Sequence, residues 1–283
     1  METATWREWT GDDASRWLAE PGRDDDKYRR GVLGVMTGSI DYPGAAVLGV
    51  EAAHRTGVGM VRYSGPRSVR SAVLARRPET VTVPGRVQAW LLGSGIDAGH
   101  RPFMLSGELQ HALASGVPVV LDAGGLDLVG THTAPTVITP HARELAGLLV
   151  SRDIEVTLEE VQADPATWAE RAAHELGVAV LLKGAVTYVC DPEGARLTVT
   201  ESTHWLASAG TGDVLGGILG ALVATHHDRL DTDASAITML AATAAYVHSE
   251  AARRASEAWG GGPVVALDVA EHVPTVIGAL LGG

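Results

Sequence analysis

Ala207-Ser208-Ala209-Gly210-Thr211-Gly212-Asp213-Val214-Leu215-Gly216-Gly217 sets a loop of small residues and one acid directly before a long apolar run. That run, Val214 to Ala224, is glycine-rich and too short to span a bilayer, so it reads as a buried helix. The first turn of a helix leaves backbone N–H groups without internal partners, and the helix dipole adds partial positive charge, so a phosphate is a natural guest there. Gly210 and Gly212 let the main chain approach such a ligand where a Cβ would obstruct it. Asp213 has two readings. It is a helix cap, a role in which Asp excels, or it is a base that takes a proton from a hydroxyl attacking phosphorus.

Working outward, short apolar runs alternate with helical patterns from Gly31 onward. Val32 to Met36, Val58 to Tyr63, Ala89 to Leu92, Val117 to Leu121, Val137 to Thr139 and Val178 to Leu182 are nearly unbroken, as expected of strands buried on both faces. Helices are predicted over Ala45–Arg55, Pro102–Ser115, Ala142–Leu149 and from Asp164-Pro165 to Leu176, the last announced by an Asp cap and a first-turn proline. Val186 to Cys190 and Leu197 to Thr200 flank Asp191-Pro192-Glu193-Gly194, the turn of an antiparallel pair. Two largely buried helices then start at Asp213 and near Ala234. The alternation predicts an α/β fold with a mostly parallel sheet covered by helices. Residues 1–30 read as a lead-in, a short helix and a loop pinned by Trp6, Trp9 and Trp17; residues 31–283 read as a single domain.

Composition narrows the function. A net charge of −12 argues against a nucleic-acid binder or a partner of acidic membranes, which need basic surface. Cys190 is the lone cysteine, which excludes an internal disulfide and a cysteine metal cluster and fits a reducing, cytoplasmic setting. The first thirty residues hold no apolar stretch of the kind a secretory signal needs.

In open α/β sheets ligands lie beyond the carboxyl ends of the strands. Four further segments sit there. Thr37-Gly38-Ser39 leads through Tyr42-Pro43-Gly44-Ala45-Ala46 into a helix, and Gly93-Ser94-Gly95 forms a second glycine turn; neither completes a P-loop or a dinucleotide fingerprint. Thr139-Pro140-His141 opens a helix, where His141 either meets a ligand or serves structure, and Glu144 either caps its own helix or meets a ligand. Lys183-Gly184-Ala185-Val186-Thr187 ends a strand, where a lysine either reaches a phosphate as a point charge or is simply solvated.

The order Lys-Gly, hairpin, Gly-Thr-Gly-Asp resembles the ribokinase-like superfamily, and within it the ADP-dependent NAD(P)H-hydrate dehydratases. Gly38-Ser39 with Tyr42 to Ala46, Gly93 to Gly95, Leu121-Asp122-Ala123, Thr139 to His141 with Glu144, and Leu182-Lys183-Gly184 through Asp213 fit in sequence, over about residues 27 to 282. The chain departs from that pattern at Gly124-Gly125, where a second acid is usual, and at Gly93 to Asp97. The resemblance implies a three-layer α/β/α ribokinase-like fold. It also implies dehydration of the S form of hydrated NADH or NADPH, with ADP as co-substrate, Mg²⁺ as cofactor, and AMP and phosphate released. By the same resemblance Asp213 is the base, Ala45, Gly95, His141 and Asp213 contact the hydrated nucleotide, and Lys183, Gly184, Ala185, Val186, Thr187, Gly210, Thr211 and Gly212 hold the adenine nucleotide. A separate epimerase as pathway partner and a homo-oligomeric state are further implications. A ribokinase-like kinase of a vitamin-precursor hydroxyl and a nucleotide-binding regulator without catalysis are the alternatives.

Overall fold

The computed structural model describes residues 5–282; residues 1–4 of the lead-in and residue 283 lie outside the described residues. The strands are β1 (Arg7–Glu8), β2 (Val32–Met36), β3 (Met60–Tyr63), β4 (Ala89–Leu92), β5 (Val119–Leu121), β6 (Thr136–Ile138), β7 (Ala179–Leu182), β8 (Val186–Cys190) and β9 (Arg196–Thr200). They form one sheet in the order β1-β9-β8-β7-β6-β5-β4-β2-β3. Every pairing is parallel except those that β8 makes with β7 and β9. The helices are α1 (Gly11–Ser15), α2 (Pro43–Thr56), α3 (Arg67–Arg76), α4 (Phe103–Leu113), α5 (Ala142–Val150), α6 (Leu158–Ala163), α7 (Pro165–Leu176), α8 (Thr211–Thr225), α9 (His227–Leu230), α10 (Ala236–Ala258) and α11 (Ala266–Leu281). Among the described residues no helix is long and apolar enough to cross a membrane.

Side chains alternate along each strand, so neighbouring residues feed opposite faces of the sheet. Leu91 and Leu181 join a core built with α2, α8, α10 and α11, whereas Leu92 and Leu182 join one built with α4, α5 and α7. This is the parallel sheet covered by helices that the alternating pattern predicted, in the three layers that the resemblance implied. The first layer is unusually tight. A Cβ on Gly217 of α8 would stand 2.2 Å from the Gly49 carbonyl oxygen of α2, so the two backbones touch and only glycine fits.

Glu51 of α2 is fully buried and receives the guanidinium groups of Arg55, Arg76 and Arg77, which tie α2 to α3. Burial opposes its charge, yet hydrogen bonds from Arg77, Arg76 and Arg55 hold its carboxyl down at about 2. The lead-in contains more than the predicted helix and loop: β1 extends the sheet edge beside β9. Trp9 is buried and donates its Nε1–H to Thr243 at 3.2 Å, while Trp6 packs edge-on against Tyr188.

Candidate active site

The carboxyl ends of β2, β4, β5, β6 and β7 converge on the start of α8. Gly210 is the N-cap of that helix, in the left-handed region at φ 89°, so Asp213 lies in the first turn and is not the cap. A Cβ on Gly210 would meet Leu48 Cδ1 at 2.5 Å, which adds a packing reason to the backbone one. Thr211 spends its hydroxyl on the carbonyls of Leu206 and Ser208, and thereby fixes the loop. Among the described residues, the Gly212 and Asp213 N–H groups have no backbone acceptor outside the helix; both lie in the first turn and can face an anion. The Asp213 carboxylate accepts no hydrogen bond from the described residues, so it is free to take a proton.

Its surroundings are charged. Lys183, at the end of β7, donates to Asp122 Oδ1 at 2.9 Å and lies 3.8 Å from Glu144 Oε2. A Cβ on Gly212 would stand 3.6 Å from Lys183 Nζ, so the ammonium sits against the helix start. Asp122, at the end of β5, is buried and also accepts from Ser94 Oγ at 2.9 Å and Thr139 Oγ1 at 2.8 Å. Burial opposes the Asp122 charge, but Lys183 and these three hydrogen bonds hold its carboxyl below the usual range. Burial likewise opposes the Lys183 charge, and Asp122, Glu144 and Asp213 more than offset it. Asp213 differs: burial pushes its carboxyl up to about 7, the Asp122 charge pushes the same way, and Lys183 counteracts only part. A carboxylate tuned to neutrality and free of hydrogen bonds has the properties of a general base.

The other expected residues fall into two groups. His141 caps α5 in a reciprocal box: Glu144 N–H donates to His141 Nδ1 at 3.1 Å, and His141 N–H to Glu144 Oε2 at 2.8 Å. Both of its open readings are therefore compatible, because the ring caps through Nδ1 and remains half exposed. The Lys183 N–H donates to the Pro140 carbonyl at 2.8 Å, which brings His141 and Lys183 side by side. Ala45 and Gly95 form the second group. Gly95 has φ 67°, and a Cβ there would lie 2.4 Å from the Ala45 Cβ, so these residues touch at the start of α2. Ser94, next to Gly95 and bonded to Asp122, links the two groups.

Lys183, Gly184, Thr187, Thr211 and Gly212 line an inner cavity of about 120 Å³. Lys183, Gly184, Ala185 and Val186 line an outer groove of about 620 Å³. His248 of α10 was not among the expected residues. It is buried at the inner cavity, its Nε2 has no partner, and burial pushes its imidazole down to about 4, so it is neutral. In the sequence it reads only as one more position of a buried helix.

Known proteins resemble this chain in sequence and in fold. The family model described as NAD(P)H-hydrate dehydratase matches residues 33–274. A bifunctional NAD(P)H-hydrate repair enzyme of Mycobacterium tuberculosis is 42% identical over 226 residues, covering 76% of this chain and 45% of that protein. The chain thus spans about half the length of that relative. An ADP-dependent (S)-NAD(P)H-hydrate dehydratase of Neisseria meningitidis is 34% identical over 221 residues, 71% of this chain and 72% of that one. Among solved structures, an ADP/ATP-dependent NAD(P)H-hydrate dehydratase of Bacillus subtilis, co-crystallised with ATP and Mg²⁺, superposes with a TM-score of 0.86 at 23% identity, covering 98% of this chain and all of that one. A ribokinase-like superfamily protein of Enterococcus faecalis gives 0.81 at 21% identity, covering 98% and 97%. The fold is ribokinase-like, and the chain belongs to the NAD(P)H-hydrate dehydratase family.

Proposed function

We propose that this chain dehydrates the S form of hydrated NADH or NADPH at the expense of ADP, acting as a hydro-lyase that repairs damaged cofactor. The observation that carries this is Asp213: a carboxylate with no hydrogen bond, raised to about 7, in the first turn of a helix with free N–H groups and beside a lysine. Asp213 takes the proton of the hydroxyl on the hydrated ring, and that oxygen attacks the β-phosphorus of ADP, displacing AMP. Hydroxide is a poor leaving group and phosphate a good one. The ring nitrogen's lone pair expels phosphate, loss of the adjacent ring proton closes the double bond, and the dihydropyridine returns.

Ala45, Gly95 and His141 take the hydrated nucleotide in this reading. Lys183 to Thr187 and Gly210 to Gly212 take ADP, with Lys183 countering phosphate charge and the helix start holding the transferred group. Among the described residues no cluster of three or more ligands forms a metal cage. Mg²⁺ binds through one or two carboxylates, water and substrate phosphates, and Glu144, 3.8 Å from Lys183, is the carboxylate at hand. The ion would add neutralisation of the diphosphate charge. A cytoplasmic homo-oligomer belongs to the same proposal, and the exposed Phe103 and Met104 on α4 are the apolar side chains a second copy would cover.

The test is to incubate the protein with hydrated NADH, ADP and Mg²⁺ and follow the absorbance of reduced nicotinamide. Recovery of NADH with one AMP and one phosphate per turnover is expected. A stable phosphorylated product instead would point to a kinase, and no reaction would overturn the proposal.

A further inference from the structure

The hydrogen bonds around His141 determine what its ring can do to a substrate. Its Nδ1 caps α5 by accepting the Glu144 N–H at 3.1 Å. A ring nitrogen that accepts a hydrogen bond carries no proton, so the imidazole hydrogen sits on Nε2. That Nε2 has no hydrogen-bond partner among the described residues and lies 3.6 Å from Glu144 Oε1, on a ring that is half exposed. His141 is thereby fixed as a donor and disqualified as a base, because the lone pair that would take a proton is already engaged.

Its neighbour is Lys183. The ammonium lies 3.8 Å from the other oxygen of Glu144 and stands against the start of α8 at Gly212. Both side chains line the mouth of the outer groove. A ring N–H and an ammonium, set about one carboxylate and next to the anion turn, make a pair of donors for one phosphoryl group.

Once phosphorylated, the hydrated ring offers such a donor either its carboxamide oxygen or its phosphate. A hydrogen bond to the carboxamide draws the ring nitrogen's lone pair away from the carbon that loses phosphate, and so slows expulsion. One to the phosphate stabilises charge that grows as the C–O bond breaks. We propose that His141 is the catalytic donor to the departing phosphate. The C–O electron pair leaves on the phosphate oxygen, and the ring nitrogen's lone pair forms a C=N bond. Asp213, protonated in the first step, returns that proton to the leaving oxygen, so phosphate departs as its dianion. The adjacent carbon then gives its proton to water, and the freed C–H pair closes the C=C bond and restores the nitrogen's lone pair. His141 keeps its own proton throughout. This rests on the dehydratase reading given above.

The test crosses two variants of the full chain that separate the two ends of the ring. His141→Ser keeps a capping oxygen for the Glu144 N–H and is too short to reach the groove, whereas His141→Gln carries an amide N–H out to the reach of Nε2 and gives up the cap. With hydrated NADH, ADP and Mg²⁺, the parent should form AMP and NADH together. His141→Ser should melt like the parent yet lose about 10²-fold in NADH formation, with a burst of AMP ahead of NADH as the phosphorylated hydrate accumulates. His141→Gln should melt a few degrees lower and keep NADH formation within about tenfold of the parent. Parent-like NADH formation in His141→Ser overturns the inference, and so does equal slowing of AMP and NADH in that variant. A His141→Gln as slow as His141→Ser also overturns it, since a base would give that result. All three leave the dehydratase reading standing; a parent that forms no NADH overturns both.

Discussion

The two helical layers that sandwich the sheet are built from different side chains and do different work. The layer of α2, α8, α10 and α11 is packed with alanine and glycine, and there α8 touches α2 backbone to backbone at Gly217 and Gly49. In the other layer α4 and α5 bury mainly leucine and α7 buries Ala169, Ala172 and Ala173, and the glycines of its helices, Gly107 and Gly147, lie on the exposed side with nothing within 4 Å of where a Cβ would point. Asp213 and the anion-binding turn belong to the first layer, His141 and Arg143 to the second. Close backbone contact leaves a helix few ways to shift, so the residue that must meet a reacting oxygen sits on the immobile layer.

The largest effect should come from the tight layer's reacting group. Asp213→Asn should lower turnover by about 10²–10⁴-fold while AMP binding persists, because the amide keeps the shape and loses the base. Activity within a few-fold of the parent would remove Asp213 from its role. The same variant has a stability signature. The folded carboxyl titrates near 7 and the unfolded one near its ordinary 3.8, so the folded state favours the protonated form. Stability from this group is complete below pH 4 and is lost as pH rises through 7. Asp213→Asn should therefore melt higher than the parent at pH 8, by on the order of 5 °C, and match it at pH 4.

The contact between two helices of the tight layer can be attacked directly. Gly217→Ala forces a Cβ to within 2.2 Å of the Gly49 oxygen and 2.8 Å of the Ala52 Cβ, neither of which has a flexible end to yield. Parting α2 from α8 should cost about 2–4 kcal/mol in chemical denaturation and reduce activity as well, since the start of α8 moves with its body.

Much of the sheet and of the anion turn is readable in the sequence, for identifiable reasons. Strands such as Val32 to Met36 are buried from end to end, so their apolar runs stand out against polar turns. Gly210 to Asp213 is local in sequence, and its meaning survives without tertiary knowledge. What escaped was non-local. Glu51 meets Arg76 of the next helix and Arg77 just past its end, and nothing in α2 itself marks that pairing. α3 buries only Val69 and Val73 among its arginines, and α11 carries Pro274 inside it, which masks a helix whose Ala266, Val269, Ala270, Val273 and Val276 form a buried stripe. His248 has a free Nε2 only because α10 passes beneath the anion turn.

Asp122 offers a subtler probe of how the sheet tunes the rigid layer. Its charge helps hold the Asp213 carboxyl up, and it shares Lys183 with it. Asp122→Asn removes a repelling charge and leaves the lysine nearer to unopposed, so both changes lower the Asp213 pKa. The acid limb of the kcat/KM profile, near pH 7 in the parent, should move toward lower pH by about one unit. A limb that stays in place would show that burial alone sets it.

The smallest effect belongs to the second layer and has the opposite sign. Gly147 lies inside α5, where glycine costs helix stability through its backbone freedom and where open space awaits a methyl group. Gly147→Ala should stabilise the fold by about 0.5–1 kcal/mol and leave turnover unchanged. Set beside Gly217→Ala, it is the same chemical change in two helices. A destabilised Gly147→Ala would overturn the reading of that position as open helix surface.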